Sequence, residues 1–132
     1  MAERVRLLAA DAEDLETLSA LMQDAAVNAG DIVYDPRARR LVILANRFRW
    51  ETRTPTRVRT ALRLEGVTGV SRRAWPATAA VLDLLALRNG NDAIEIDFAG
   101  GAALRVGVEA IDVELHDLSE AWPAKRTPRH GS

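Results

Sequence analysis

Arginine recurs at alternate positions along two segments that read as neighbouring strands. The residues that share this pattern are Arg47 and Arg49 in the first segment and Arg57, Arg59 and Arg63 in the second. If the two strands pair through the loop at 51–56, these guanidinium groups lie on one side of the sheet. Like charges that face each other across strands destabilise a sheet. We therefore expect an offsetting negative charge, either from acids of this chain such as Glu95 and Asp97 or from an external anion.

The partner that such a face favours is an acidic protein surface, because a guanidinium fork matches carboxylate or phosphate oxygens. Nucleic acid is disfavoured, since the isoelectric point of about 6.1 is low for a dedicated binder. Aromatic side chains that stack on bases are also misplaced, because Phe48 and Trp50 have the opposite parity from the two arginines of their strand. Pairing of the arginines with this chain's own acids stays open as the alternative.

Catalytic chemistry has weaker support. The chain has no cysteine and two histidines, His116 and His130, so neither a thiolate nucleophile nor a Cys/His metal site is predicted. The acids Asp11 and Asp14 read as a helix cap, and Glu95 and Asp97 as an outer strand face. A general acid with a raised pKa needs burial, which these positions do not suggest. No catalytic residue, metal or cofactor is predicted.

Two functions follow from these features. The leading one is a non-catalytic binding or scaffolding module whose protein partner meets the arginine-rich face. The alternative is a small-ligand-binding protein or an enzyme, with a pocket near Asn46, Arg47 and Trp50. A concave apolar pocket with convergent polar groups would favour the alternative. A flat arginine-bearing face with exposed apolar neighbours would favour the first.

A length of 132 residues fits one domain, predicted over 1–123 with a flexible tail over 124–132. Charge changes sign twice, with two basic residues against eight acids in 1–36, eleven against two in 37–73, and five against nine in 74–132. The lack of cysteine fits a reducing cytoplasm. No apolar run reaches the roughly 18 residues of a membrane span, so we expect a cytoplasmic protein without membrane insertion. The sequence selects no oligomeric state.

In the N-terminal half, periodicity predicts a strand at 5–9 and a helix at 12–25. Asp11 is the expected N-cap, and Leu15, Leu18 and Met22 recur on one helical face. Strands are then predicted at 32–34, 41–50, 57–64 and 70–75, separated by turns that contain proline or glycine.

In the C-terminal half, 81–88 fits either a strand or a helix. The strand is favoured because Asn89-Gly90-Asn91-Asp92 is a strong hairpin signal before the alternating segment 94–98. A second turn at 99–102 leads to a strand at 104–108. For 109–120 we predict an amphipathic helix from the spacing of Ile111, Leu115 and Leu118, although Ile111, Val113 and Leu115 also alternate.

These elements predict an α+β fold of mostly antiparallel β structure. A meander of strands closed by a C-terminal helix is the layout of a pleckstrin-homology-like barrel, with the helix plugging the open end and an added N-terminal strand and helix. If 81–88 is a helix, the alternative is a two-layer α+β sandwich. Such a fold analogy implies no function by itself.

Several short sequence motifs resemble those of one family. They are Leu18-Ser19-Ala20, Gln23-Asp24-Ala25, Gly30-Asp31, Asn46-Arg47-Phe48 with Trp50-Glu51, and Phe98-Ala99-Gly100-Gly101. In this order they resemble a small alphaproteobacterial family, domain-of-unknown-function family 2948, from about Arg6 to Trp122. The resemblance implies a cytoplasmic bacterial protein and carries over no catalytic residue.

Overall fold

The computed structural model describes residues 4–77 and 80–124, and these fold into an antiparallel sheet with one α-helix. The strands are β1 (Arg6–Ala9), β2 (Ala26–Asn28), β3 (Ile32–Asp35), β4 (Arg40–Phe48), β5 (Thr56–Glu65), β6 (Val67–Arg73), β7 (Val81–Gly90), β8 (Ala93–Phe98), β9 (Ala103–Val108), β10 (Val113–Asp117) and β11 (Trp122–Pro123). Helix α1 spans Ala12–Met22. The prediction of a mostly antiparallel β protein with an N-terminal strand and helix is confirmed.

The strands follow the order β1-β10-β5-β4-β2-β7-β8-β9-β6 across the sheet, with β3 also paired to β4 and β11 to β5. The sheet is open, because β1 and β6 end this order and do not pair with each other. A single residue, Gly66, joins β5 to β6 with a φ of 68°, a left-handed conformation that glycine adopts without steric cost. Both parts of the sheet contribute to one apolar core.

Helix α1 begins as predicted. The Asp11 side chain accepts a hydrogen bond of 2.8 Å from the Asp14 amide, which satisfies an amide that the first turn leaves without a helical partner. Leu15, Leu18 and Met22 are buried. The helix ends at Met22 rather than at residue 25, because the chain turns at Asp24, where φ is 63°. The short strand β2 that follows is absent from the sequence prediction.

The predicted C-terminal helix is wrong. Residues 113–117 form β10, which lies between β1 and β5, so that Leu115 faces Leu7 on one side and Leu62 on the other. The physical reason is that β1 and β5 do not pair with each other, and a strand between them satisfies the backbone groups of both. The barrel plug built on Ile111, Leu115 and Leu118 is therefore replaced by a further strand.

Residues 81–88 lie in β7 (Val81–Gly90), so the favoured interpretation of this segment is confirmed. The condition for the two-layer sandwich alternative, a helix in this segment, is not met. The β7–β8 hairpin turns at Asn91 and Asp92, as its sequence predicts, and Asp92 has a φ of 51°. The predicted tail falls almost entirely at 125–132, outside the described residues.

Candidate functional site

Arg47, the first of the candidate site residues, is fully buried. Its Nε and Nη2 donate to the two carboxylate oxygens of Asp117 at 2.9 and 2.8 Å. Its Nη1 and Nη2 also donate to the carboxylate of Glu51, at 3.0 and 2.7 Å. Burial would lower the pKa of Arg47, but these hydrogen bonds and charges outweigh it and raise the pKa above its ordinary value. The guanidinium group is thus an internal cation that donates four hydrogen bonds to two carboxylates.

The same contacts lower the pKa values of the two carboxylates. Burial would raise the pKa of Asp117, but hydrogen bonds from Arg47 and from the Val5 amide, at 3.0 Å, hold it below its ordinary value. The pKa of Glu51 is lowered for the same reason, since its bonds to Arg47 outweigh its partial burial. This cluster ties β4 to the end of β10 and to the N-terminal segment.

Strand register separates Arg47 from the other arginines. In the β4–β5 ladder Arg47 lies opposite Val58, whereas Asn46 lies opposite Arg59. Directly opposed residues share a face, so Arg47 belongs to the core face, and Arg57, Arg59 and Arg63 belong to the outer face. The prediction that all five arginines share one side of the sheet is therefore wrong.

The outer face carries its own compensating acids. Glu114 pairs with Arg6 at 3.0 Å and with Arg63 at 3.3 Å, and Glu65 pairs with Arg63 at 3.2 Å and with Arg40 at 2.5 Å. These alternating charges form a row across β1, β10, β5 and β4. The like-charge repulsion expected from the sequence is thus relieved within the molecule.

Of the other candidate residues, Arg57 and Arg59 both contact Asn46, whereas Arg49 and Trp50 have other partners. Arg59 contacts Asp31 at 3.2 Å and the Asn46 side chain at 3.3 Å. Arg57 donates to the carbonyl oxygen of Asn46 at 3.0 Å. Arg49 is nearly buried 3.7 Å from the Glu51 carboxylate. The Trp50 indole donates to the carbonyl oxygen of Gln23 at 2.9 Å. Asn46 lies on the outer face and Arg47 is buried on the core face, so these two side chains do not line one pocket.

The acids proposed to offset the arginine row have other partners. Asp97 pairs with Arg88 at 2.5 Å, and Glu95 pairs with Arg105, all on β7, β8 and β9. The prediction that Glu95 and Asp97 lie against the arginines of β4 and β5 is therefore wrong. His116 is exposed and lies on strand β10 instead of a helix.

A concave apolar cleft lies between β3 and β6, which do not pair with each other. Its volume is about 250 Å³, somewhat below the roughly 300–1,000 Å³ typical of ligand pockets. Side chains from both strands and from the neighbouring segments line it: Ile32, Tyr34, Val70, Arg72, Trp75 and Leu104. Near this gap, the Val67 amide donates to the Arg39 carbonyl and the Ala29 amide to the Ala80 carbonyl, both at 2.9 Å. The walls are therefore anchored to the core.

The polar groups of the cleft are few. Trp75 packs edge-on against Phe98, with ring centroids 5.7 Å apart, and the Arg72 guanidinium lies 5.9 Å from the centroid of the Trp75 ring. Ten of the fifteen arginines among the described residues form ion pairs with carboxylates. Arg72 is not one of them. The cleft thus combines apolar walls, an aromatic ring, a phenol and a cation without a carboxylate partner among these residues.

Sequence reasoning missed this cleft. Tyr34 is the one tyrosine of the chain and Trp75 one of three tryptophans, and both were assigned to strand ends or core packing. The alternation of Ile32 with Tyr34 and of Val70 with Arg72 was visible. Nothing in the sequence indicates that β3 and β6 approach each other, because no backbone ladder joins them.

Within residues 4–77 and 80–124, no group of three or more His, Cys, Asp or Glu side chains is placed to hold a metal ion. In the same residues, no helix has the length and apolarity needed to cross a membrane.

The fold and cleft define a mostly antiparallel β protein with one helix in its described residues and a small apolar pocket at the opening of its sheet. The chain belongs to the family described as "Protein of unknown function (DUF2948)", whose profile matches residues 5–130. The family predicted from the sequence is therefore confirmed. No curated protein and no solved structure matches the chain. The bacterial origin and cytoplasmic location stay predictions.

Proposed function

We propose that this protein is a non-catalytic binding module that holds a small organic molecule in the cleft between β3 and β6. The observation that carries the proposal is the combination of buried and partly buried apolar walls with Tyr34, Arg72 and Trp75 around one concavity. Ligand pockets have this composition, a mostly apolar lining with a few polar groups that orient the ligand. The proposal keeps the binding role expected from the sequence and moves its site.

The arginine-rich face supports this role less well. Arg59 and Arg63 already pair with Asp31, Glu65 and Glu114 of the same molecule. An acidic partner would have to displace those carboxylates, and the exchange of one ion pair for another gains little free energy at an exposed surface. A protein partner at this face stays a prediction, whereas the cleft offers a cation that needs no such exchange.

The test uses fluorine NMR on protein labelled with 5-fluorotryptophan, which places one reporter at each of Trp50, Trp75 and Trp122. Of these, Trp75 lines the cleft. Titration with phenylacetamide, a neutral aromatic probe, is expected to move the Trp75 resonance in a saturable way and to leave the other two in place.

Two variants make the test specific. Val70→Phe fills the cleft and is expected to abolish the Trp75 shift. Val33→Phe makes the same change on an exposed position of β3 that does not line the cleft, and it is expected to bind like the wild type. Equal shifts at all three tryptophans, or unchanged binding by Val70→Phe, would rule out the cleft as the site.

A further inference from the structure

We infer that the cleft selects a small organic carboxylate, with the apolar body of the ligand between β3 and β6 and its carboxylate on Arg72. This inference rests on the proposed function, because it names the class of ligand that the same cleft takes. Its basis is the position of Arg72, which lines an apolar cleft and forms no ion pair with a carboxylate among the described residues.

The charge around the cleft is unbalanced. Of the residues that line it, Arg72 is the one charged side chain, and the rest are apolar or aromatic. Glu95 of β8 lines an adjacent concavity together with Arg72, but its ion pair is with Arg105. An anion in the cleft would therefore meet a guanidinium group that forms no ion pair among the described residues.

The position of Arg72 is partly set before a ligand arrives. Its guanidinium lies over the face of Trp75, and Trp75 is itself held against the buried ring of Phe98. A cation–π contact of this kind restrains a side chain without using its hydrogen-bond donors. The guanidinium fork therefore remains available for two parallel hydrogen bonds to a carboxylate.

A carboxylate fits better than a phosphate. One guanidinium balances one negative charge, whereas a phosphate monoester carries close to two at neutral pH. The residues lining the cleft carry two further donors beside Arg72, the Tyr34 hydroxyl and the Trp75 indole N–H. The size of about 250 Å³ limits the body of the ligand to a single ring or a short branched chain.

The experiment compares phenylacetate with phenylacetamide, which differ in charge and hardly in shape, by the same fluorine NMR titration. The wild type is expected to bind phenylacetate at least about ten-fold more tightly, since hydrogen bonds to a charged group are the stronger class. Arg72→Gln is expected to abolish this preference while it still binds phenylacetamide. Arg73→Gln, the next residue of β6 and outside the cleft lining, is expected to retain the preference.

The outcomes separate the two proposals. Equal affinity of the wild type for both probes, or a preference that survives Arg72→Gln, would overturn the carboxylate assignment and leave the cleft as a binding site. Tighter binding of phenylphosphonate than of phenylacetate would also overturn it. No Trp75 shift with either probe would overturn the proposed function itself, and the carboxylate assignment with it.

Discussion

At the scale of single residues, the burial of Arg47 depends on two carboxylates. A guanidinium group removed from water loses several kcal/mol of hydration unless its charge and its donors are matched. Asp117 and Glu51 accept four hydrogen bonds from Arg47, and Asp117 is itself only 1% exposed. The sequence shows Arg47 on an apolar face. It does not identify Asp117 as the partner, because Asp117 is 70 residues away and the contact forms only in the folded protein.

The first prediction concerns this pair. Arg47→Met is expected to lower the free energy of unfolding by about 3–5 kcal/mol, because Asp117 is left as a buried charge without its cation. The double variant Arg47→Met/Asp117→Leu is expected to recover much of that loss, since the remaining carboxylate, Glu51, is partly exposed and lies 3.7 Å from Arg49. Urea unfolding measures both. A double variant no more stable than the single one would contradict this account.

A second prediction concerns acid. Asp117 and Glu51 have lowered pKa values in the folded protein, so the unfolded chain binds protons more readily than the folded one. Their stabilising contribution is present in full above the ordinary carboxyl values of 3.8 and 4.5 and is lost as the pH falls through the lowered values. Wild-type stability is therefore expected to decline below about pH 5.

Asp117→Asn provides the comparison for this acid effect. This variant has no carboxyl at position 117 to protonate, so its stability is expected to fall less between pH 6 and pH 3, although it is lower at pH 7. Thermal unfolding followed by circular dichroism across this range gives both curves. Parallel curves for the two proteins would show that Asp117 does not supply the pH dependence.

At the scale of elements, local sequence patterns were sufficient to predict a strand or a helix where the neighbouring elements favoured the same structure. Alternation identified β5 and β8, and the cap and apolar spacing identified α1. The segment at 109–120 fitted both periods. The choice between them depended on β1 and on residues 60–64 of β5, which both pair with β10. Strand register decided the arginine face in the same way, because a shift of one residue exchanges the two faces of a strand.

The cap of α1 gives a prediction at this scale. Asp11→Ala removes the acceptor for the Asp14 amide and is expected to lower the free energy of unfolding by about 1 kcal/mol. Glu16→Ala, an exposed position later in the same helix, is expected to change it by less than about 0.5 kcal/mol. Urea unfolding of the two variants under one set of conditions checks the difference. Equal losses would show that the cap contributes nothing specific.

At the scale of the whole molecule, the sheet bends until two strands that do not pair flank one cleft. Sequence reasoning reached the strands on both sides of it, at 32–34 and 70–75. It did not predict the cleft. Side chains from β3, β6 and the segment after β6 are brought together there only by the course of the whole sheet. The candidate site thus required the three-dimensional structure, while most of the elements that build it did not.

The place of β10 in the sheet has a consequence for protein synthesis. This strand enters between β1 and β5, so β1 leaves the ribosome well before the strand that pairs with it. Until then a nascent chain carries two uncovered backbone edges, which are the usual starting points of aggregation. Translation that stops before Val113 leaves both edges bare and deprives Arg47 of the Asp117 carboxylate.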